Sequence, residues 1–233
     1  MTTAIVGVGN IGGVLARQLV AGGESVVLAG KGASRAEELA AELGPLARAA
    51  TVADAITGAD TVVFAIWLDA MRELIPQVRP LLAGKVVIDP SNPVAFDEKG
   101  RIVRSLPEGQ SAGAVAAALL PEGAHYVKAF GTLGAGVLAA SANRAPRRAA
   151  LFYATDDGSA AATAERLIRV AGFDPVKAGG LAAAGRIESP GGDLHQAGPD
   201  GEVVDLAQAR AAVDALSGGA PREGGRLDTR ERF

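Results

Sequence analysis

Residues 3–21 constrain this chain more than any other stretch. Thr3–Val8 is a short, β-branched apolar run of the kind buried on both faces of a parallel sheet. It leads into Gly7-Val8-Gly9-Asn10-Ile11-Gly12, and Asn10–Ala21 then sets Ile11, Val14, Leu15, Leu19 and Val20 at helical spacing before stopping at Gly22-Gly23. A G-x-G-x-x-G match alone is weak in a chain with 31 glycines among 233 residues. Its place between a buried strand and an amphipathic helix gives it weight. In that setting Gly7 permits the tight turn and Gly9 lets the backbone approach a pyrophosphate. Gly12 lets the helix pack on the strand while its free N–H groups face the anion. A dinucleotide site is the reading; the bland competitor is an ordinary glycine-rich strand-to-helix turn.

The same alternation continues. Strands are predicted at Ser25–Ala29, Thr61–Ile66 and Lys85–Asp89, with helices at Ser34–Leu43 and over Leu68–Leu82, the latter helical at least until Pro76 and Pro80. Parallel strands need crossover helices, so the fold class is α/β: a Rossmann-type, doubly wound, mainly parallel sheet. The pattern loosens at Glu98-Lys99-Gly100-Arg101, then resumes with a helix at Ser111–Leu120 and a strand at His125–Phe130. A strand at Arg147–Thr155, a helix at Ala160–Ala171 and a strand at Phe173–Val176 read as a smaller C-terminal α/β lobe. The expected division is 1–145 for the nucleotide-binding domain, 146–216 for the lobe and 217–233 for a flexible, glycine-rich tail.

Composition narrows the chemistry. There is no cysteine, which removes disulfides, thiolate metal sites and cysteine nucleophiles and fits a reducing, cytoplasmic setting. Lys plus Arg number 23 against 26 Asp plus Glu, which argues against a nucleic-acid partner. No apolar run approaches the roughly 20 residues that cross a bilayer, so no membrane partner is expected. Two histidines give no metal-ligand spacing.

After the second strand the chain reads Ala29-Gly30-Lys31-Gly32-Ala33-Ser34-Arg35. No carboxylate stands where NAD users hold the ribose hydroxyls. Lys31 and Arg35 flank a helix start that Ser34 is expected to cap, an arrangement that suits a 2′-phosphate and favours NADP(H). Tyr126 and Tyr153 lack a lysine four residues on, and Gly131–Ser141 contains no lysine, so two common catalytic pairings of nicotinamide enzymes are absent. Asp89, Lys128, His125, His195 and the tyrosines remain as acid/base material, with His195 in a glycine-rich loop the weak catalytic candidate. Hydride transfer between two ring cofactors needs alignment and exclusion of water more than a proton donor, and a site this poor in acids suits it.

Four further segments carry a resemblance: Ile5–Gly12 with Leu15-Ala16, Phe64-Ala65-Ile66-Trp67, Val87–Val94, and Val127-Lys128-Ala129-Phe130-Gly131-Thr132-Leu133. In this order, over roughly residues 3–180, the chain resembles the coenzyme F420-dependent NADP oxidoreductases, the deazaflavin:NADPH reductase family. The resemblance implies that Gly9, Asn10, Ile11 and Gly12 hold the pyrophosphate, that Lys31 and Arg35 read the 2′-phosphate, and that Ile66 and Trp67 line the nicotinamide side. It places Asn92, Pro93, Phe130, Gly131, Thr132 and Leu133 around a deazaflavin ring and implies coenzyme F420 as co-substrate. Two positions depart: Gly131 stands where members commonly carry Asn or His, and Gly30 where a serine would add a hydroxyl to the phosphate site. Two alternatives stay open. One is an NADPH-dependent reductase of a small carbonyl, imine or quinone, protonating through His195 or water; the other is a non-catalytic NADPH sensor.

The resembled family is dimeric. Val127–Leu138, with Phe130, Leu133, Val137 and Leu138, carries more apolar surface than a ligand loop needs, so a homodimer that covers this segment is expected.

Overall fold

The computed structural model describes residues 1–196 and 203–217, so the tail expected from residue 217 lies, from 218 on, outside the described residues. Strand β1 (Thr2–Val6) sits inside the sheet, paired in parallel with β2 (Ser25–Ala29) on one side and β4 (Thr61–Phe64) on the other. Between β2 and β4 the chain forms an edge strand, β3 (Ala47–Ala49). Beyond β4 follow β5 (Val86–Asp89) and β8 (His125–Ala129), both parallel to it. Strand β9 (Ala150–Ala154) joins β8 antiparallel, and β10 (Asp174–Gly179) lies parallel to β9. The sheet order is β10-β9-β8-β5-β4-β1-β2-β3, with eight strands. The C-terminal α/β unit thus extends the main sheet, and residue 145 falls just before the strand where its direction reverses.

Helix α1 (Asn10–Ala21) returns from β1 and buries Leu15, Ala16 and Leu19 on the sheet. Helix α2 (Ala33–Leu43) follows β2, and α7 (Gly158–Val170) links β9 to β10. A side chain on Gly22, just past α1, would stand 2.4 Å from the carbonyl oxygen of Val170, so the small residue there lets α7 dock on α1. Thr3 and Arg166 both donate to the buried Glu24 carboxylate, tying α7 to the first two strands.

Several boundaries differ from expectation. Helix α3 (Val52–Thr57) had no periodic signal at six residues, although Thr51, whose hydroxyl accepts the Asp54 amide at 3.1 Å, is a legible cap. Helix α4 (Leu68–Val78) continues through Pro76, because Leu68, Met71, Ile75 and Val78 bury one face and outweigh the lost backbone bond; a 3₁₀ turn follows over Arg79–Leu82. The loose stretch near residue 98 is the turn of a separate hairpin, β6 (Val94–Phe96) with β7 (Ile102–Arg104), in which Asp97 accepts the amides of Lys99 and Arg101 at 2.9 Å. Helices α5 (Ala112–Leu119), α6 (Ala135–Ser141) and α8 (Leu206–Ser217) complete the set. The apolar surface expected on 127–138 is not there: Phe130, Leu133 and Leu138 are buried in the chain's own core, and Val137 is the exposed one of the four. No helix among the described residues is long and apolar enough to cross a membrane.

Asp157 caps α7 by accepting the Ser159 and Ala160 amides, and its other oxygen lies 2.6 Å from His125 Nδ1. The Ser159 hydrogen bonds, then that of His125, hold its carboxyl well below the ordinary carboxylate range. Because the folded-state value is depressed, the cap stabilises above the unfolded carboxylate pKa near pH 4 and is lost as pH falls further. Asp157→Ala is expected to cost about 1 kcal/mol at neutral pH, with the melting-temperature gap to the parent closing in strong acid.

Candidate functional site

All strands from β1 to β8 that lie centrally run the same way, so the residues after β1, β4, β5 and β8 line one edge of the sheet. The chain winds outward from β1 in both directions, toward β2 and toward β4, which makes the β1/β4 boundary the switch point where such sheets open a crevice. The glycine turn is at that boundary. Gly7 has φ +101°, and a side chain there would meet the Ala65 carbonyl oxygen at 2.4 Å. One on Gly12 would stand 1.8 Å from the Gly7 carbonyl oxygen. One on Gly9 would meet nothing within 4 Å. Packing therefore demands glycine at 7 and 12, while at 9 the protein itself demands nothing and leaves space for a ligand. Gly9 is also the N-cap of α1 and offers no side-chain cap, so the first-turn N–H groups of this 12-residue helix are left for another acceptor.

A cleft of about 350 Å³ opens here, between Gly9, Asn10, Gly13 and Val14 of the turn and α1 and Arg35, Glu38 and Leu39 of α2. Arg17 and Glu42 span its far end through hydrogen bonds of 2.9 and 2.8 Å. Lys31 and Arg35 are exposed, and neither has an ion pair among the described residues. Ser34 does not cap α2: Gly32 is the N-cap and Ser34 lies inside the first turn, because the helix begins one residue earlier than its sequence suggests. Glu38 shares the cleft wall with Arg35 and offsets part of its charge.

Ile66 and Trp67 follow β4 on the same edge, next to the glycine turn. Trp67 is 53% exposed and meets Phe96 of the β6–β7 hairpin edge-on, ring centroids 5.7 Å apart. Asn92, after β5, donates from Nδ2 to the Gly131 carbonyl at 2.9 Å and accepts the Ser189 amide at 2.8 Å. The neighbouring Pro93 carbonyl accepts the Ser105 amide, fixing the root of the hairpin. Phe130, buried, has φ +66°, a left-handed value unusual for a bulky residue. Thr132 and Leu133 are buried too. The departure at Gly131 has a steric cause: a side chain there would begin 2.8 Å from the Pro90 carbonyl oxygen.

Beneath these loops is a buried ionic cluster. Lys128 Nζ donates to Asp89 Oδ2 at 3.0 Å and to the carbonyl oxygen of Ser91, and both charged side chains are essentially inaccessible to water. Asp89 also accepts the Tyr126 hydroxyl and the Ser91 amide, each at 2.7 Å. Glu188 lies 3.9 Å from Lys128 and accepts from the Ser111 hydroxyl and the Ala112 and Gly113 amides at the start of α5. Burial first, then the Asp89 carboxylate, pushes the Tyr126 phenol well up, so it stays protonated. Sequence reasoning named Asp89, Lys128 and Tyr126 singly and missed Glu188 and Ser91. The readable signal was a charge at or next to the end of two adjacent strands, Asp89 last in β5 and Lys128 next to last in β8.

The remaining acid/base candidates separate. Tyr153 donates to Glu165 at 2.6 Å. His125 sits at the start of β8, at the opposite sheet edge, paired with Asp157. His195 reaches the site region through its neighbour, since the Gln196 amide donates to the Thr132 carbonyl at 3.2 Å. Burial pulls the His195 pKa down, which leaves the imidazole neutral near pH 7.

Residues 2–93 match the family described as NADP oxidoreductase, coenzyme F420-dependent. Over 199 residues the chain is 29% identical to the F420-dependent NADP reductase of Methanothermobacter thermautotrophicus, covering 81% of this chain and 85% of that protein. It is 30% identical over 185 residues to Metalloreductase STEAP3 of Rattus norvegicus, covering 79% of this chain but only 35% of the rat protein's length. A crystal structure of a hypothetical protein from Sinorhizobium meliloti superposes with a TM-score of 0.72 at 31% identity, covering 81% of this chain and 90% of that one. The relatives place the chain among NADP-dependent oxidoreductases.

The glycine turn gives a paired expectation. Gly9→Ala keeps the fold and weakens NADP(H) binding by at least about 1.4 kcal/mol, a tenfold loss. Gly12→Ala disrupts the turn itself, so its melting temperature falls. Isothermal titration and thermal melts of both variants check this; wild-type affinity in a folded Gly9→Ala protein rejects the site.

Proposed function

We propose that this chain, which belongs to the coenzyme F420-dependent NADP oxidoreductase family, moves hydride between NADP(H) and a deazaflavin. The observation that carries the reading is the state of the acids near the crevice. Asp89, Lys128 and Glu188 are buried and Tyr126 is half-buried, and hydrogen bonds and ion pairs tie the four together, which leaves them poorly placed to protonate a substrate. Transfer between two rings asks for no such proton and depends on alignment and dryness. NADPH, when bound, supplies the hydride. In this reading Gly9, Asn10, Ile11 and Gly12 hold the pyrophosphate, Lys31 and Arg35 pair with the 2′-phosphate, and Ile66 and Trp67 flank the nicotinamide. Asn92, Pro93 and the 130–133 loop face the second ring. Residues 1–145 form the nucleotide-binding part and 146–216 the unit that closes the sheet beyond β8.

A second reading has its own observation. The Gln196–Thr132 bond brings His195 alongside the 130–133 loop, which suits an NADPH-dependent reductase of a small carbonyl, imine or quinone. A neutral, half-buried imidazole is a poor acid at pH 7, so we place this reading second. Cytoplasmic residence rests on the absence of cysteine, and a two-fold homodimer on the resemblance. With Phe130, Leu133 and Leu138 buried in the chain itself, Trp67, Phe96 and Ile102 are large apolar side chains left exposed around the hairpin. Light scattering at micromolar concentration distinguishes a dimer from a species near 23.4 kDa.

Two measurements test the reading. Mixing NADPH with oxidised deazaflavin and following both absorbance bands should show one lost as the other is reduced; no exchange, with turnover of a carbonyl, imine or quinone instead, favours the second reading. NADP should bind tighter than NAD by about tenfold to a thousandfold, since each charge-assisted contact contributes roughly 1.5–3 kcal/mol before screening. Lys31→Ala with Arg35→Ala should erase that preference and leave NAD affinity nearly unchanged.

A further inference from the structure

Lys128 carries a full charge on a side chain only 1% exposed, in the interior of the sheet, and no step of the proposed reaction uses it. Its partners show what it holds. The ammonium reaches Asp89, the last residue of β5, and the carbonyl and hydroxyl of Ser91 two residues on, with the hydroxyl at 3.4 Å. Asp89 in turn accepts the Ser91 amide. The backbone of the turn leaving β5 is therefore gripped from beneath at both its N–H and its C=O.

That turn presses directly on the loop leaving β8. The Pro90 carbonyl oxygen lies 2.8 Å from where a side chain on Gly131 would begin, too close for one, and Asn92 donates to the Gly131 carbonyl. The other end of the Asn92 amide accepts from Ser189, next to Glu188, the second carboxylate around Lys128. Three chain segments, 90–93, 131–133 and 188–189, thus meet over one ammonium group. Residue 131 itself has no side chain to reach a ligand, so at that point the backbone height, set by the turn beneath it, is what a ring lying there would feel.

We infer that Lys128 is a positioning residue: through Ser91 and Asn92 it sets the 90–93 turn against Gly131 and thereby the floor on which the second substrate lies. It touches neither substrate. This rests on the reading that the second ring lies beside Asn92 and Gly131. The nucleotide turn at Gly7–Gly12 is held by different contacts, with Ala29 of β2 and Ala65 just after β4, so the two substrates depend on separate supports.

The test neutralises the pair together, Lys128→Met with Asp89→Asn, so that no lone charge from that pair stays buried; Glu188 keeps its three donors around Ser111. Hydrogen exchange in the full-length protein should speed up at least tenfold at 91–94 and 131–133 and stay unchanged at 9–13. In steady-state turnover kcat/KM for the deazaflavin should fall about tenfold to a hundredfold, as misplacement of a reacting group by an ångström does, while the NADPH dissociation constant stays within twofold. If exchange in the two loops is unchanged, or rises equally across β1 and β4, the cluster is general core support and the inference is wrong. Should the double variant not fold, Asn92→Ala breaks the outer link of the same chain of contacts and must show the same local exchange and the same selective loss. Absence of deazaflavin turnover in the parent protein would overturn the proposed function, and the exchange measurement would still judge the clamp.

Discussion

The carbonyl oxygen of Gly7 occupies the place where a side chain on residue 12 would start, and much of the molecule follows from that contact. It brings α1 against the end of β1 more closely than any other residue type allows, and aims the uncapped start of the helix at the crevice. Gly7 itself packs on the Ala65 carbonyl, so the same crowding sets the β4 edge, with Ile66 and Trp67, beside the glycine turn. Gly9, unconstrained by any neighbour, is the position left to a ligand.

The opposite side of the crevice is held by charge. Two carboxylates and one ammonium are buried where apolar residues would pack at lower desolvation cost, and breaking such a pair by removing one partner typically costs about 3–5 kcal/mol. An arrangement of this kind fixes geometry more than it stabilises, and here it fixes the loops after β5 and β8. It also removes from the crevice the groups that could have served as acids, which links the support of the site to the type of chemistry the site can perform.

Much of this was legible in the residues. Helix α1 falls where the spacing of Leu15 and Leu19 and the stop at Gly22 put it, and the parallel order follows from the alternation of apolar strands with helices. Strand β3 was invisible because three residues at a sheet edge, one of them Arg48, leave no pattern. Ser34 misled, since a serine near a helix start reads as a cap, yet the glycine two residues earlier is the N-cap and the helix begins at Ala33. Phe130, Leu133 and Leu138 looked like surface because a glycine-rich sequence resembles a loop; burial depends on α1 and α7 lying above them, which no local window contains. The ionic cluster joins residues 89, 128 and 188, and only the fold brings them together.

The central proposal is that hydride passes directly from one ring to the other, beside acids that are tied to one another. Single-turnover reaction of oxidised deazaflavin with NADPH deuterated at the transferred position, in ordinary water, tests it most directly. The account predicts that the label is recovered in the reduced deazaflavin ring and that the transfer shows a primary isotope effect. Loss of the label to solvent, or its appearance in a carbonyl, imine or quinone with none in the deazaflavin, would contradict it.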